Sequence, residues 1–137
     1  MVVAAKLGER LRARAELVVD AMAGDGAAAG TAALTQVIER WAHAHGRGGR
    51  AWRCHREVFV PTIREGGSLS GIVDLIIERP GLSDLVIEID STNKAWSGQM
   101  LSFVREAGGV PIWVRWHRGP VRRVHGVHVI DVTRCCP

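Results

Sequence analysis

Lysine is nearly missing from this chain: of its 18 basic residues only Lys6 and Lys94 are lysines, and the rest are arginines. With the abundant Ala and Gly, that bias fits a GC-rich coding background, in which a lysine set beside acids is informative. Cysteine is also scarce. Cys54, Cys135 and Cys136 are odd in number and have no zinc-ribbon spacing, which excludes a disulfide framework and points to a reducing compartment. No apolar run approaches the roughly 18 residues that span a bilayer. Lys6, Glu9, Arg10 and Arg12 also break up the stretch a signal peptide would need. The expectation is a cytoplasmic protein with no membrane partner. There is no internal repeat and no linker, so the 137 residues and 14.9 kDa fit one domain, 1–137.

What the chain does have is apolar material for one core, with 47% hydrophobic and 23% charged residues and a mean hydropathy of +0.06. This composition excludes a disordered chain. Its net charge of +4 and pI of about 9.6 favour a polyanionic partner.

Leu7, Leu11, Ala15, Val18, Val19 and Met22 recur at steps of three and four, predicting an amphipathic helix stopped by Gly24, Asp25 and Gly26. Thr31 is placed to cap a second helix whose Leu34, Val37, Ile38, Trp41 and Ala42 form one stripe, ended by Gly46, Gly48 and Gly49. The period then shortens to two. Strands are expected over 51–63, with a turn at Gly66, Gly67 and Ser68, then over Ile72–Ile77, Leu85–Asp90, Pro111–Trp116 and Val127–Val132. Ser91 or Thr92 caps one intervening helix, which runs to about Ala107 and closes at Gly108 and Gly109. The order predicts an α/β fold with a central mixed sheet of about five strands flanked by helices.

The acids fall at one end of this sheet. Residues two apart on a strand share a face, so Glu88 and Asp90 project together while Ile87 and Ile89 enter the other layer. Asp74 interrupts an apolar run, and the short connection over 79–84 brings it toward Glu88 and Asp90. Three carboxylates of this kind suit Mg²⁺ or Mn²⁺. Lys94, four residues past Asp90, can swing its ammonium over the site, and Gln99 lies further along the same helix. Simpler readings stand beside these. Asp74 can pair with Arg79 or Arg56, Asp90 can start a turn or cap a helix, and Lys94 can be an ordinary solvated residue. The histidines have no ligand spacing. The tryptophans read as core, with Trp96 or Trp116 able to stack on an unpaired base.

A helix, a hairpin with Ser70-Gly71-Ile72-Val73-Asp74 in its second strand, a strand ending Ile87-Glu88-Ile89-Asp90 and then a helix resemble the PD-(D/E)XK nuclease superfamily over about residues 31–132. The resemblance implies a restriction-endonuclease-like core, to which residues 1–24 add a helix. It implies Asp74 and Glu88, with Asp90 beside them, as ligands of Mg²⁺ or Mn²⁺. The family's lysine would fall at position 90, where this chain has Asp90, so Lys94 stands in as the displaced lysine. Gln99 matches a polar residue on the following helix, and Glu39 is a candidate extra acid. The function implied is a Mg²⁺-dependent nuclease that hydrolyses phosphodiester bonds of DNA by metal-activated water. DNA phosphates would be held by Arg53, Arg56, Arg64, Arg115, Arg118, Arg122 and Arg123, and a homodimer is one way to cut both strands. The alternative is a catalytically inactive nuclease-fold subunit for DNA binding or assembly.

Overall fold

The computed structural model describes residues 2–14, 16, 26–45, 51–64, 67–116 and 120–132. Its elements are helix α1 (Val2–Ala13), helix α2 (Ala27–His45), strands β1 (Arg53–Arg64), β2 (Gly67–Glu78) and β3 (Leu85–Asp90), helix α3 (Ala95–Glu106), and strands β4 (Val110–Arg115) and β5 (His128–Asp131). One five-stranded sheet has the order β1-β2-β3-β4-β5. The first three strands pair antiparallel and the last three parallel, so the sheet is mixed. The fold class is α/β, as the element order predicts. The turn at Gly66 and the stretch of the first helix from Leu17 to Met22 lie outside the described residues, as do Gly46, Cys135 and Cys136. Cys54 is half-buried, and burial pushes its thiol pKa up.

The strand β3 organises the core because all six of its residues are buried. Leu85, Ile87 and Ile89 pack with Leu7, Leu11, Leu34, Ile38 and Trp41 of α1 and α2, while Val86 joins Met100, Leu101 and Val104 of α3 on the other side. The sheet therefore lies between α1 and α2 on one face and α3 on the other. Burying an aliphatic side chain of this kind contributes about 1.5 to 3 kcal/mol, so the apolar half of β3 fixes which way its acids must point.

Strands β1 and β2 change sides together at one point. Cys54, Leu75 and Ile77 pack on the α1 and α2 face, whereas Val58, Val60 and Val73 pack on the α3 face. The switch falls between the pairs Arg56↔Leu75 and Val58↔Val73, where Glu57 lies opposite Asp74 with a left-handed φ of 51°. A strict period of two does not reveal such a reversal, which re-aims side chains as a bulge does.

Two predicted caps differ from the structure. Helix α2 begins at Ala27, straight after Gly26 at φ 79°, so Thr31 lies within the helix, where its carbonyl accepts the Thr35 Oγ1 hydroxyl at 2.8 Å. Helix α3 starts after Lys94 with no side-chain cap from Ser91 or Thr92. Its C-terminus follows the sequence reading: Gly108 donates to the Arg105 carbonyl at 3.1 Å and Gly109 to that of Val104 at 3.0 Å, with Gly108 at φ 92°. This pairing forms a Schellman motif that needs glycine at the left-handed position.

Gly30 lets α2 lie against Trp116, which is fully buried. A Cβ on Gly30 would meet the Trp116 ring at 2.4 Å. Gly30→Ala gains roughly 1 kcal/mol of helix propensity but overpacks this contact, typically at 1 to 3 kcal/mol. A lower melting temperature is expected in thermal unfolding, and an unchanged or higher one would show that α2 can shift away.

Candidate functional site

The site forms where β2 and β3 part. Their ladder runs over Leu75↔Ile87, Ile76↔Val86 and Ile77↔Leu85, and beyond it side chains replace backbone partners. The Asp74 amide donates to Glu88 Oε1 at 3.0 Å, and the Ile89 amide donates to Asp74 Oδ2 at 2.7 Å. Each carboxylate is thus fastened to the opposite strand. Ser97, in the first turn of α3, donates its hydroxyl to Glu88 Oε2 at 3.3 Å. Asp74, Glu88, Asp90 and Lys94 all line one cavity of about 510 Å³, together with Ala27 and Thr31 of α2 and Ile72 and Trp96.

Asp90 is held differently. Its side chain is buried, Oδ2 accepts the Trp113 indole N–H at 2.8 Å, and Oδ1 meets the Lys94 ammonium at 3.2 Å. The Lys94 side chain is 64% exposed, so its anchored end sits at the cavity rim. The Asp90 carbonyl accepts Arg115 Nη1 at 2.7 Å and the Trp116 amide at 3.2 Å. Asn93 Oδ1 accepts Arg115 Nε at 2.8 Å and the Arg122 amide at 3.1 Å, while Nδ2 donates to the Pro120 carbonyl at 2.9 Å. Asn93 therefore ties the start of α3 to the segment before β5, which is why this polar run does not cap the helix.

Burial, with the neighbouring Asp74 and Asp90 charges, pushes the Glu88 pKa up to about 8. Burial also raises that of Asp74, against the Ile89 N–H bond that stabilises its charged form. The hydrogen bond and charge of Asp90 raise the pKa of Lys94. The cavity has a surplus of negative charge that one lysine does not balance.

Several predicted placements are corrected. A preformed three-carboxylate cage is not present: among the described residues no three His, Cys, Asp or Glu side chains come together to hold a metal. Asp90 turns instead to Trp113 and Lys94. Gln99 does not line the acid cavity but a second one of about 170 Å³, with Lys94, Gly98 and Arg122. Because α3 starts at Ala95, Ser97 faces Glu88, and Gln99 falls about 200° further around the helix. Glu39 pairs with Arg56 through both carboxylate oxygens, with Arg56 Nε at 3.0 Å. Arg79 donates to the Ser83 carbonyl at 2.9 and 2.8 Å. Neither arginine pairs with Asp74.

Arg115 is 2% exposed and holds the turn after β3, so it is not a peripheral phosphate contact; Arg53, Arg122 and Arg123 are exposed. The side chain of Arg64 and all of Arg118 lie outside the described residues. Trp116, fully buried, cannot stack on a base, whereas Trp96 borders the cavity. Sequence reasoning missed Ser97, Trp113 and Glu57. The signal for Ser97 was its place one turn into a helix that starts at 95, and for Trp113 its parity, since it shares the α3 side of the sheet with Asp90.

The chain matches no protein-family model and no curated protein sequence. No helix among the described residues is long and apolar enough to cross a membrane.

Proposed function

We propose that this protein is a Mg²⁺- or Mn²⁺-dependent nuclease that hydrolyses phosphodiester bonds of DNA. The observation that carries the reading is the crossed pair Asp74 and Glu88, fastened on neighbouring strands inside one cavity with Lys94 at its rim. The arrangement of a hairpin, an acid-ended strand and a helix supports the PD-(D/E)XK resemblance. The donor set suits the ion: Mg²⁺ commonly takes one or two carboxylates and fills its remaining positions with water and substrate phosphate. Asp74 and Glu88 would hold it, and the excess negative charge around them favours a cation. When bound, the ion activates water and stabilises charge on phosphate oxygens.

The protein's own part is positional. Asp90 and Trp113 hold the Lys94 ammonium where it can donate to a non-bridging phosphate oxygen or orient the attacking water. In the reaction a water oxygen bonds to phosphorus, the ester P–O bond breaks with its electron pair going to the leaving oxygen, and the water's proton is released. Asp90 thus serves the lysine where the family pattern would have the lysine itself.

Purified protein incubated with plasmid, linear and branched DNA and Mg²⁺ or Mn²⁺ is expected to cleave at least one of them. No cleavage by the parent, with salt-dependent DNA binding but no affinity for either cation, would replace this reading with a DNA-binding subunit. Because Glu88 holds a proton near neutral pH, Mn²⁺ binding at pH 7 is expected to release one. Calorimetry in two buffers of different ionisation enthalpy measures that proton, and affinity should rise with pH toward about 8.

A further inference from the structure

A second cavity lies on the far end of α2. Arg10 of α1, Arg14 just beyond α1 and Arg40 of α2 line a space of about 160 Å³ whose apolar wall is Val37, Trp41 and Ala44. Among the described residues neither Arg10 nor Arg40 forms an ion pair, and Arg14 meets only the exposed Glu16, at 3.2 Å. Arg10 and Arg14 are four residues apart, a spacing at which like charges on a helix repel. Three guanidinium groups therefore converge on one small space with a single carboxylate nearby. The volume equals that of about five waters, room for one phosphate group. A tetrahedral oxyanion offers each guanidinium its own oxygen, whereas a carboxylate has two to share among three, and planar guanidinium forks match phosphate geometry.

We propose that Arg10, Arg14 and Arg40 form a phosphate-binding site separate from the acid cavity. Helix α2 connects the two: Ala27 borders the acid cavity, and Arg40 lies about 20 Å further along the axis. That span is about six nucleotide steps at 3.4 Å each, so a backbone phosphate of DNA is the source that fits the nuclease reading, and a free phosphate compound is the other. The site itself does not depend on that reading, because binding is measured without metal or cleavage.

The test uses the full chain in EDTA, a labelled 20-base-pair duplex and, separately, pyrophosphate, comparing the parent, R10Q/R40Q and an equally charged control, R53Q/R123Q. Pyrophosphate is expected to bind the parent and the control and at least tenfold more weakly to R10Q/R40Q. Duplex binding by R10Q/R40Q is expected to have a salt slope, log affinity against log salt, shallower by about 1.8, for two lost phosphate contacts. Dependence on Arg10 and Arg40 in both arms supports the site with DNA as its ligand, and dependence in the pyrophosphate arm alone supports it with a free phosphate compound. R10Q/R40Q behaving like the control in both arms overturns it. Both arginines are exposed, so the melting temperature of R10Q/R40Q should match the parent's.

Discussion

Asp74→Asn and Glu88→Gln are each expected to lower the rate of DNA cleavage by about a thousandfold or more, equivalent to several kcal/mol of lost transition-state stabilisation, while leaving the fold intact. The reason lies in the crossed hydrogen bonds. Asparagine at position 74 keeps an oxygen to accept the Ile89 amide, and glutamine at 88 keeps one for the Asp74 amide while its NH₂ donates to the Ser97 hydroxyl. Each variant removes a negative charge and a cation ligand but no backbone fastening. Circular dichroism should therefore superimpose on the parent's while single-turnover cleavage collapses. Variants that cleave within a few-fold of the parent would place the chemistry elsewhere and sink the nuclease proposal.

Glu88→Gln should also change how stability depends on pH. The Glu88 carboxyl, raised from 4.5 to about 8, is protonated in the folded chain over a range where the unfolded chain has released the proton. The folded state then binds more protons, so stability is greatest in acid and falls as pH rises toward 8, by at most about 1.4 kcal/mol per pH unit. The raised Asp74 carboxyl acts in the same direction. Between pH 5.5 and 7.5 the loss due to Glu88 is roughly 2 to 3 kcal/mol. Glu88→Gln removes that contribution, so the variant should be the more stable protein at pH 8 and the two should converge near pH 4.5. Urea denaturation at several pH values reads the difference. A difference that does not grow with pH would mean that Glu88 is ionised in the folded state. Excess Mg²⁺ should flatten the parent's profile by taking the proton's place.

Much of the sheet was legible because its signals are local. Leu85–Asp90 is six residues of apolar side chains with acids at alternate positions near one end, and burial on both faces leaves no other strand for it to be. The short connection from β2 forces antiparallel pairing and so brings Asp74 to Glu88. What stayed hidden depends on distant or conformational partners. The claim on Asp90 comes from Trp113, 23 residues away. Arg115 reads as one arginine among many, yet it is buried because two carbonyls and Asn93 accept its N–H groups. The rotation of Gln99 out of the site follows from where α3 begins, and the polar run Ser91-Thr92-Asn93 offers several equally good starts. The change of faces at Asp74 depends on one left-handed φ at Glu57, for which the residue type gives no warning.

The crossed bonds between β2 and β3 have one more consequence. The amides of Asp74 and Ile89 are shielded by two ionisable side chains instead of ladder carbonyls. Their solvent exchange should therefore follow the charge state of the site while the amides of Leu75 to Ile77 stay as slow as the sheet itself. The protein carries its own pair of isotope-labelling reporters, able to signal what the carboxylates are bound to before any substrate is cut.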